Sequence, residues 1–295
     1  MEKLTLVSRY ALGDAVVMTA LLRDIQLSYP NTYQVFPVTG ADAVWRGCQH
    51  CSKFRPSEGR VIRLSYASQL NQSIHAPMHF IEGYIRAFNE ATGLRVAMTT
   101  KKPCMRLVDN EGPIDGLGDK YWVMMAGWKN DMATKKWSSG GYLEVARRLA
   151  GVVKLVRAGS LSHNHHDIDG LDDYVVDMRG KTDIRGLIRL IAHSSGVICP
   201  ITAAMHIAAA FDKPAVVIAG GREPSWWEKY DTHTWLGENR PCGIENACLC
   251  GGLMTGKRPC RHTIEAENGL IAKCMAEITP EMVSNAVLGY VANEP

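Results

Sequence analysis

One carboxylate in this chain sits where it could do chemistry. In the stretch RYALGDAVVMTALLRDI, Asp14 follows Gly13 and opens an apolar run in which Ala15, Met18, Leu22 and Ile25 keep helical spacing. An acid at a helix start either caps the free N–H groups or accepts a proton from a hydroxyl brought to the same loop. A helix N-terminus also lowers an aspartate's pKa, so Asp14 is expected to be ionised at neutral pH. A second group lies far along the chain, in CPITAAMHIAAAFDKPAVVIAGGREP. Thr202 and Ala203 stand at another helix start, where unpaired N–H groups and a hydroxyl attract phosphate. His206, one turn on, either donates to a diphosphate oxygen or packs under the neighbouring strand. Gly220 and Gly221 let a ligand approach the backbone. Arg222 and Glu223 could contact a nucleotide, with Trp226 or Trp227 as a stacking wall or as ordinary packing.

Further polar groups follow strand ends. Lys135 in TKKW, with Lys129 and Lys136 beside it, can neutralise a leaving diphosphate; a solvated lysine pair is the alternative. Ser160 and His165, in LVRAGSLSHNHHD, could touch a nucleotide or its sugar, and the histidine-rich loop is also a weaker metal candidate. The nine cysteines are unevenly spread, five of them between Cys242 and Cys274. Cys242, Cys248, Cys260 and Cys274 are separated by five, eleven and thirteen residues, looser than a ribbon-type pair, with Cys250 as a spare. Four thiolates would hold a structural zinc or iron and leave no open position for catalysis; buried free thiols are the alternative. CQHC, from Cys48 to Cys51, is a second ligand-like group without a matching half nearby.

These residues need elements to hold them. LTLVSR, TYQVFPV and RVIRLSY read as strands, with helices from Asp14 and over HFIEGYIRAFNEATGL. DNEGPIDGLGDK is the best linker, near residues 109–120. The alternation then restarts. YWVMMAG, VVKLVRAG, GVICP and PAVVIAGG read as strands; GGYLEVARRLAG, DIRGLIRLIAHSS (capped by Thr182) and TAAMHIAAAF read as helices. Thr279 and Pro280 suit the first turn of a last helix. Strand–helix alternation in two successive units predicts an α/β protein of two Rossmann-like lobes with a cleft between them. The expected division is 1–115, then 116–280 with a Cys-rich insertion at 241–274, then a C-terminal helix over 281–295.

Composition narrows the function. Net charge is +3, from 33 basic and 30 acidic side chains, which is no footprint of a dedicated nucleic-acid binder. No apolar run reaches membrane-spanning length. MEKLTLVSRY has an early acid and no apolar signal core, and the cysteine count is odd; both predict the reducing cytoplasm. GxGxxG after a strand, Walker A, GxSxG and HExxH are all missing, which disfavours nicotinamide, P-loop, serine-hydrolase and zinc-protease chemistry.

LGDAVVMTALLRDI, TKKW, the run from VVDMRGKTDIRG to VVIAGG and the final AKCMAEITPEMV, taken in order, resemble glycosyltransferase family 9, the ADP-heptose:lipopolysaccharide heptosyltransferases and their relatives. The resemblance spans most of the chain and implies a GT-B fold whose last helix crosses back to the first lobe. It implies inverting transfer of heptose or a related sugar from an ADP-sugar, without a catalytic metal, to a saccharide, a protein or a modified nucleobase. Asp14 matches the family's catalytic base, and Gly13, Lys135, Ser160, Thr202, Ala203, His206, Gly220, Gly221, Arg222 and Glu223 fall on the substrate side. Where the family often has Asp-Thr-Gly this chain has Ile201, Thr202 and Ala203, so contacts to the donor sugar differ. The cysteine tail resembles the four-cysteine iron finger of one branch. Homo-oligomers are compatible with this reading. A nucleotide-sensing protein on the same fold, with turnover lost, is the competing one.

Overall fold

The structure, a computed structural model, describes residues 1–72, 77–129, 134–162, 165–166, 168–237, 260 and 262–293. β1 (Glu2–Val7) leads into α1 (Leu12–Ser28), β2 (Tyr33–Val38) and β3 (Arg60–Arg63), followed by α2 (Ala67–Gln72) and α3 (Phe80–Thr92). The three strands form a parallel sheet in the order β2-β1-β3. A segment without helix or strand then runs to β4 (Trp122–Met124), longer than the linker expected over 109–120. Beyond it come β5 (Trp128–Lys129), α4 (Ser139–Leu149), β6 (Leu155–Arg157), β7 (His165–His166), β8 (Val175–Asp177), α5 (Ile184–Ala192) and β9 (Gly196–Pro200). α6 (Ala203–Ala210), β10 (Ala215–Ile218), α7 (Ser225–Glu228) and β11 (His233–Leu236) complete the second large sheet. Its order is β11-β10-β9-β4-β6-β8, parallel throughout. The hairpin of β12 (Thr263–Ile264) and β13 (Ile271–Ala272), then α8 (Lys273–Ala276) and α9 (Pro280–Val291), close the chain.

The strand orders place the functional loops. In the first sheet the chain leaves β1 toward one neighbour and later returns to its other side. In the second sheet, β4, β6 and β8 extend one way, and β9, β10 and β11 the other. In open parallel sheets, ligands sit at the carboxyl ends of strands where the order reverses. Those ends are the β1–α1 loop in the first lobe and the loops after β4 and β9 in the second.

α1 and α6 pack against each other across the lobes. That explains their composition. Val16, Val17, Ala20 and Leu21 are as buried as the expected stripe of Ala15, Met18, Leu22 and Ile25. Ala204 through Ala210 are likewise all buried. A helix with protein on every side is apolar all round. One continuous core runs from Leu4 and Leu6 through α1 to Ile207 and Trp235.

Local signals mostly act as expected. Thr279 caps α9, accepting from the Met282 N–H at 3.2 Å. α5 is capped one residue later than Thr182: Asp183 Oδ1 accepts from the Gly186 N–H at 2.6 Å. Aspartate outcompetes the neighbouring threonine as a charged acceptor for helix N–H groups. The neighbours of α9 include α4, β10 and β11 of the second lobe.

Candidate active site

Both lobes line one cavity of about 1120 Å³. From the first lobe come the β1–α1 loop, Asp14, Tyr66 and Phe80; from the second, the loops after β4, β6 and β9 and the α6 N-terminus. Gly13, Asp14, Lys135, Ser160, Thr202, Ala203, His206, Arg222 and Glu223 all lie along its wall. Gly220 and Gly221 do not. Gly220 has φ +64, and a Cβ there would stand 2.4 Å from Met275 Sδ and 3.4 Å from Cys274 Sγ, so its smallness serves packing of the tail rather than ligand access.

Asp14 lies in the first turn of α1. Its Oδ2 accepts from the Ala11 N–H at 3.0 Å, and its Oδ1 accepts from the Tyr66 hydroxyl. Burial raises the Asp14 pKa above the ordinary carboxylate value, against the hydrogen bond from Tyr66 and the proximity of His206. This reverses the expected direction: removal from water outweighs the helix N-terminus. A raised pKa strengthens the carboxylate as a proton acceptor.

The opposite wall carries the cations. Lys135 Nζ donates to the Ile201 carbonyl at 3.3 Å and lies 3.3 Å from Glu223 Oε1. Arg222 pairs with Glu223, and both are buried. Burial opposes ionisation of Glu223, but Lys135 and Arg222 outweigh it and hold its pKa below the ordinary value. Burial and the adjacent Glu223 push Glu228 well up, so this acid carries the proton of the pair. Lys136 turns away to the Asn268 carbonyl and sits 4.7 Å from the Trp128 ring centre. Trp227 lines the cavity but Trp226 does not.

His206 is 3% exposed, with Nδ1 2.7 Å from Tyr230 Oη and Nε2 3.1 Å from Glu228 Oε2. Burial pushes its pKa down to about 4, so the ring is neutral. Both nitrogens are thus engaged within the protein, and the ring also lines the cavity. A Cβ on Gly13 would come within 3.1 Å of His206 Cδ2, so Gly13 admits α6 as closely as it could admit a ligand.

Thr202 is the N-cap of α6 without a side-chain cap bond, and Ile201, apolar and 4% exposed, occupies the cavity edge where the family often has an acid. Ser160 Oγ accepts from the Ser162 N–H at 3.1 Å, and His165 Nδ1 is 2.6 Å from Ser162 Oγ. Tyr66, Arg157, Arg179, Trp128 and Glu228 also face the cavity and were not picked from the sequence. Only their place after strand ends could have flagged Tyr66, Arg157 and Arg179.

The cysteine tail is partly visible. Cys242, Cys248 and Cys250 lie outside the described residues. The ribbon pairs Thr263 with Ala272, and the Lys273 N–H donates to the His262 carbonyl at 2.8 Å. This brings Cys260 and Cys274 to the same end of the hairpin. Among the described residues no group of three or more His, Cys, Asp or Glu side chains is arranged to hold a metal ion, CQHC included.

Two parallel α/β lobes facing each other across a cleft built from their switch points constitute the GT-B arrangement of sugar transferases. The family model for glycosyltransferase family 9 (heptosyltransferase) matches residues 55–249, and the chain belongs to this family. Solved structures share the fold over nearly the whole of this chain. ADP-heptose LPS heptosyltransferase II of E. coli matches at 13% identity over 99% of each chain, with a TM-score of 0.66. The family 9 glycosyl transferase of Veillonella parvula DSM 2008 matches at 13% identity over 99% of this chain and 98% of that one, with a TM-score of 0.67. The iron-containing dodecameric glycosyltransferase TibC of enterotoxigenic E. coli H10407 matches at 15% identity over 99% of this chain and 76% of its own, with a TM-score of 0.68. No curated protein sequence gives a significant match.

Proposed function

We propose that this chain is an inverting glycosyltransferase that moves heptose or a related sugar from an ADP-sugar to an acceptor hydroxyl. The observation that carries the reading is one cavity with Asp14 on one wall and Lys135, Thr202 and the α6 N-terminus on the other. Asp14 accepts the hydroxyl proton as the acceptor oxygen attacks the anomeric carbon. The bond to the diphosphate breaks on the opposite face, and the anomeric centre inverts in that single displacement. The departing diphosphate gains charge beside Lys135 and the N-terminus of α6. Lys135 is held toward the cavity by Glu223 and the Ile201 carbonyl, so its charge is in place before the bond breaks.

The acceptor is a saccharide, a protein side chain or a modified nucleobase. Half-buried Tyr10 and Phe80 flank Tyr66 beside the base, at 5.0 and 5.2 Å between ring centres, and supply apolar faces of the kind that hold sugar rings. The reading assigns catalysis no metal. Cys242, Cys248, Cys260 and Cys274 would hold a structural iron or zinc, and Cys260 and Cys274 lie at one end of the ribbon. Division into an acceptor-side lobe over 1–115 and a nucleotide-sugar lobe over 116–280, a cytoplasmic location and assembly of several copies complete the proposal. No helix among the described residues is long and apolar enough to cross a membrane.

The test is ADP release from ADP-heptose by the purified protein, with and without candidate acceptors. Asp14→Asn removes release by two orders of magnitude or more, on the order expected for loss of a general base, while ADP binding by calorimetry stays close to wild type. A variant that releases ADP normally would reduce Asp14 to a helix cap.

A further inference from the structure

We propose that Tyr66 is the positioning residue of the Asp14 base: it orients the carboxylate toward the cavity and governs its basicity. This rests on the reading of Asp14 as proton acceptor.

Tyr66 follows β3 closely and reaches Asp14 from 52 residues away. Its hydroxyl donates to Oδ1 while the Ala11 N–H donates to Oδ2, so one donor on each oxygen fixes the carboxylate plane. Each oxygen keeps a lone pair for an incoming hydroxyl. The other phenols nearby are engaged elsewhere: Tyr10 Oη is 2.7 Å from Ser65 Oγ, and Tyr84 Oη is 3.0 Å from Ser8 Oγ. The Tyr66 side chain is 2% exposed and caged by Tyr10, Phe80 and Tyr84, with ring centres 4.6–5.2 Å away. A buried phenol hydroxyl needs a partner, and among the described residues Asp14 is the one it has.

The choice of donor matters. Glu111, in the same protein, meets the Arg185 guanidinium and is held at about 2, too acidic to take a proton from an alcohol. Tyr66 supplies a hydrogen bond without a charge, so Asp14 is oriented yet keeps a raised pKa. Burial and the nearby Asp14 charge push the phenol's own pKa well up, so it remains a donor at any working pH. Three other titratable groups lie near Asp14. These are His206 on α6, with its pKa at about 4, Glu228 at the end of α7, pushed well up by burial, and Tyr84 on α3.

The experiment uses Tyr66→Phe, which keeps the ring and its cage, with Tyr84→Phe as the control that removes a neighbouring hydroxyl. The Asp14 carboxyl is titrated by carbon-13 NMR in protein labelled at aspartate, assigned with Asp14→Asn. ADP release from ADP-heptose is followed over the same pH range. Loss of a donor to the ionised form raises the Asp14 midpoint by about half a unit or more in Tyr66→Phe. The acidic limb of release moves up by the same amount, kcat falls more than KM, and Tyr84→Phe leaves the midpoint in place. An unchanged midpoint in Tyr66→Phe overturns the proposal. So does a midpoint that moves while the acidic limb stays put. If wild-type protein releases no ADP at all, the transfer reading fails, and the titration alone still decides whether Tyr66 governs the carboxylate.

Discussion

Glu111→Gln should loosen the joint between the lobes. Glu111 lies in the connecting segment and is 5% exposed. Its carboxylate accepts from Arg185 Nε at 2.7 Å and Nη2 at 2.5 Å, and Arg46 Nε is 3.8 Å away. One carboxylate thus joins the first lobe, the connection and α5 of the second lobe. Arg185 holds the Glu111 pKa down from its ordinary 4.5 to about 2. That difference is worth at most about 3 kcal/mol at neutral pH. The group is an acid with a depressed folded pKa. Its contribution is therefore complete above about pH 4.5 and fades as pH falls through about 2. Breaking a buried pair from one side costs a similar few kcal/mol, because Arg185 stays buried without its counter-charge. Urea unfolding followed by tryptophan fluorescence should show the variant weaker by about 3 kcal/mol at pH 7, a midpoint lower by about 1 M. At pH 3 the gap should narrow by about 2 kcal/mol, since wild type has by then lost most of the proton-linked part. A gap below about 1 kcal/mol at pH 7, typical of surface pairs, or one that is equal at both pH values, would refute the argument.

Two further outcomes are expected. His233 is buried with neither ring nitrogen hydrogen-bonded among the described residues, and burial pushes its pKa down to about 3, as it does for His79. The unfolded chain binds these protons first, so stability is full above about pH 6.5 and is lost as pH falls toward the folded values. His233→Phe should remove about 2 kcal/mol of the loss between pH 7 and 5 in urea melts; an unchanged pH dependence would contradict the burial argument. Cys260→Ser should lower both the iron or zinc measured per chain after chelator-free purification and the melting temperature; equal metal in both proteins would exclude Cys260 as a ligand.

Much of the architecture was legible because it is local. Strands such as GVICP and helices such as PEMVSNAVLGYV carry their own periodicity and caps, and the order of alternation implied two parallel lobes. The cleft-facing loops followed from strand ends. What was hidden depends on partners distant in sequence. Burial raises the Asp14 pKa and is opposed by Tyr66 and His206, 52 and 192 positions away along the chain. The spacing of His206 does not reveal its partners Tyr230 and Glu228. Gly220 and Gly221 resembled a ligand loop, but Met275 fills the space beside Gly220. The α1 stripe was too narrow a reading because α6 covers the face that would otherwise meet water.

The α1–α6 seam also limits how substrates can enter. The two halves share a single oily interior from Leu6 to Ile207, and a Cβ on Gly13 would stand 3.5 Å from Ala203 Cα. Pulling them apart like a clamshell would wet that interior. The buried α1–α6 seam therefore ties the two lobes together at the floor of the cleft, whose rims are made by loops.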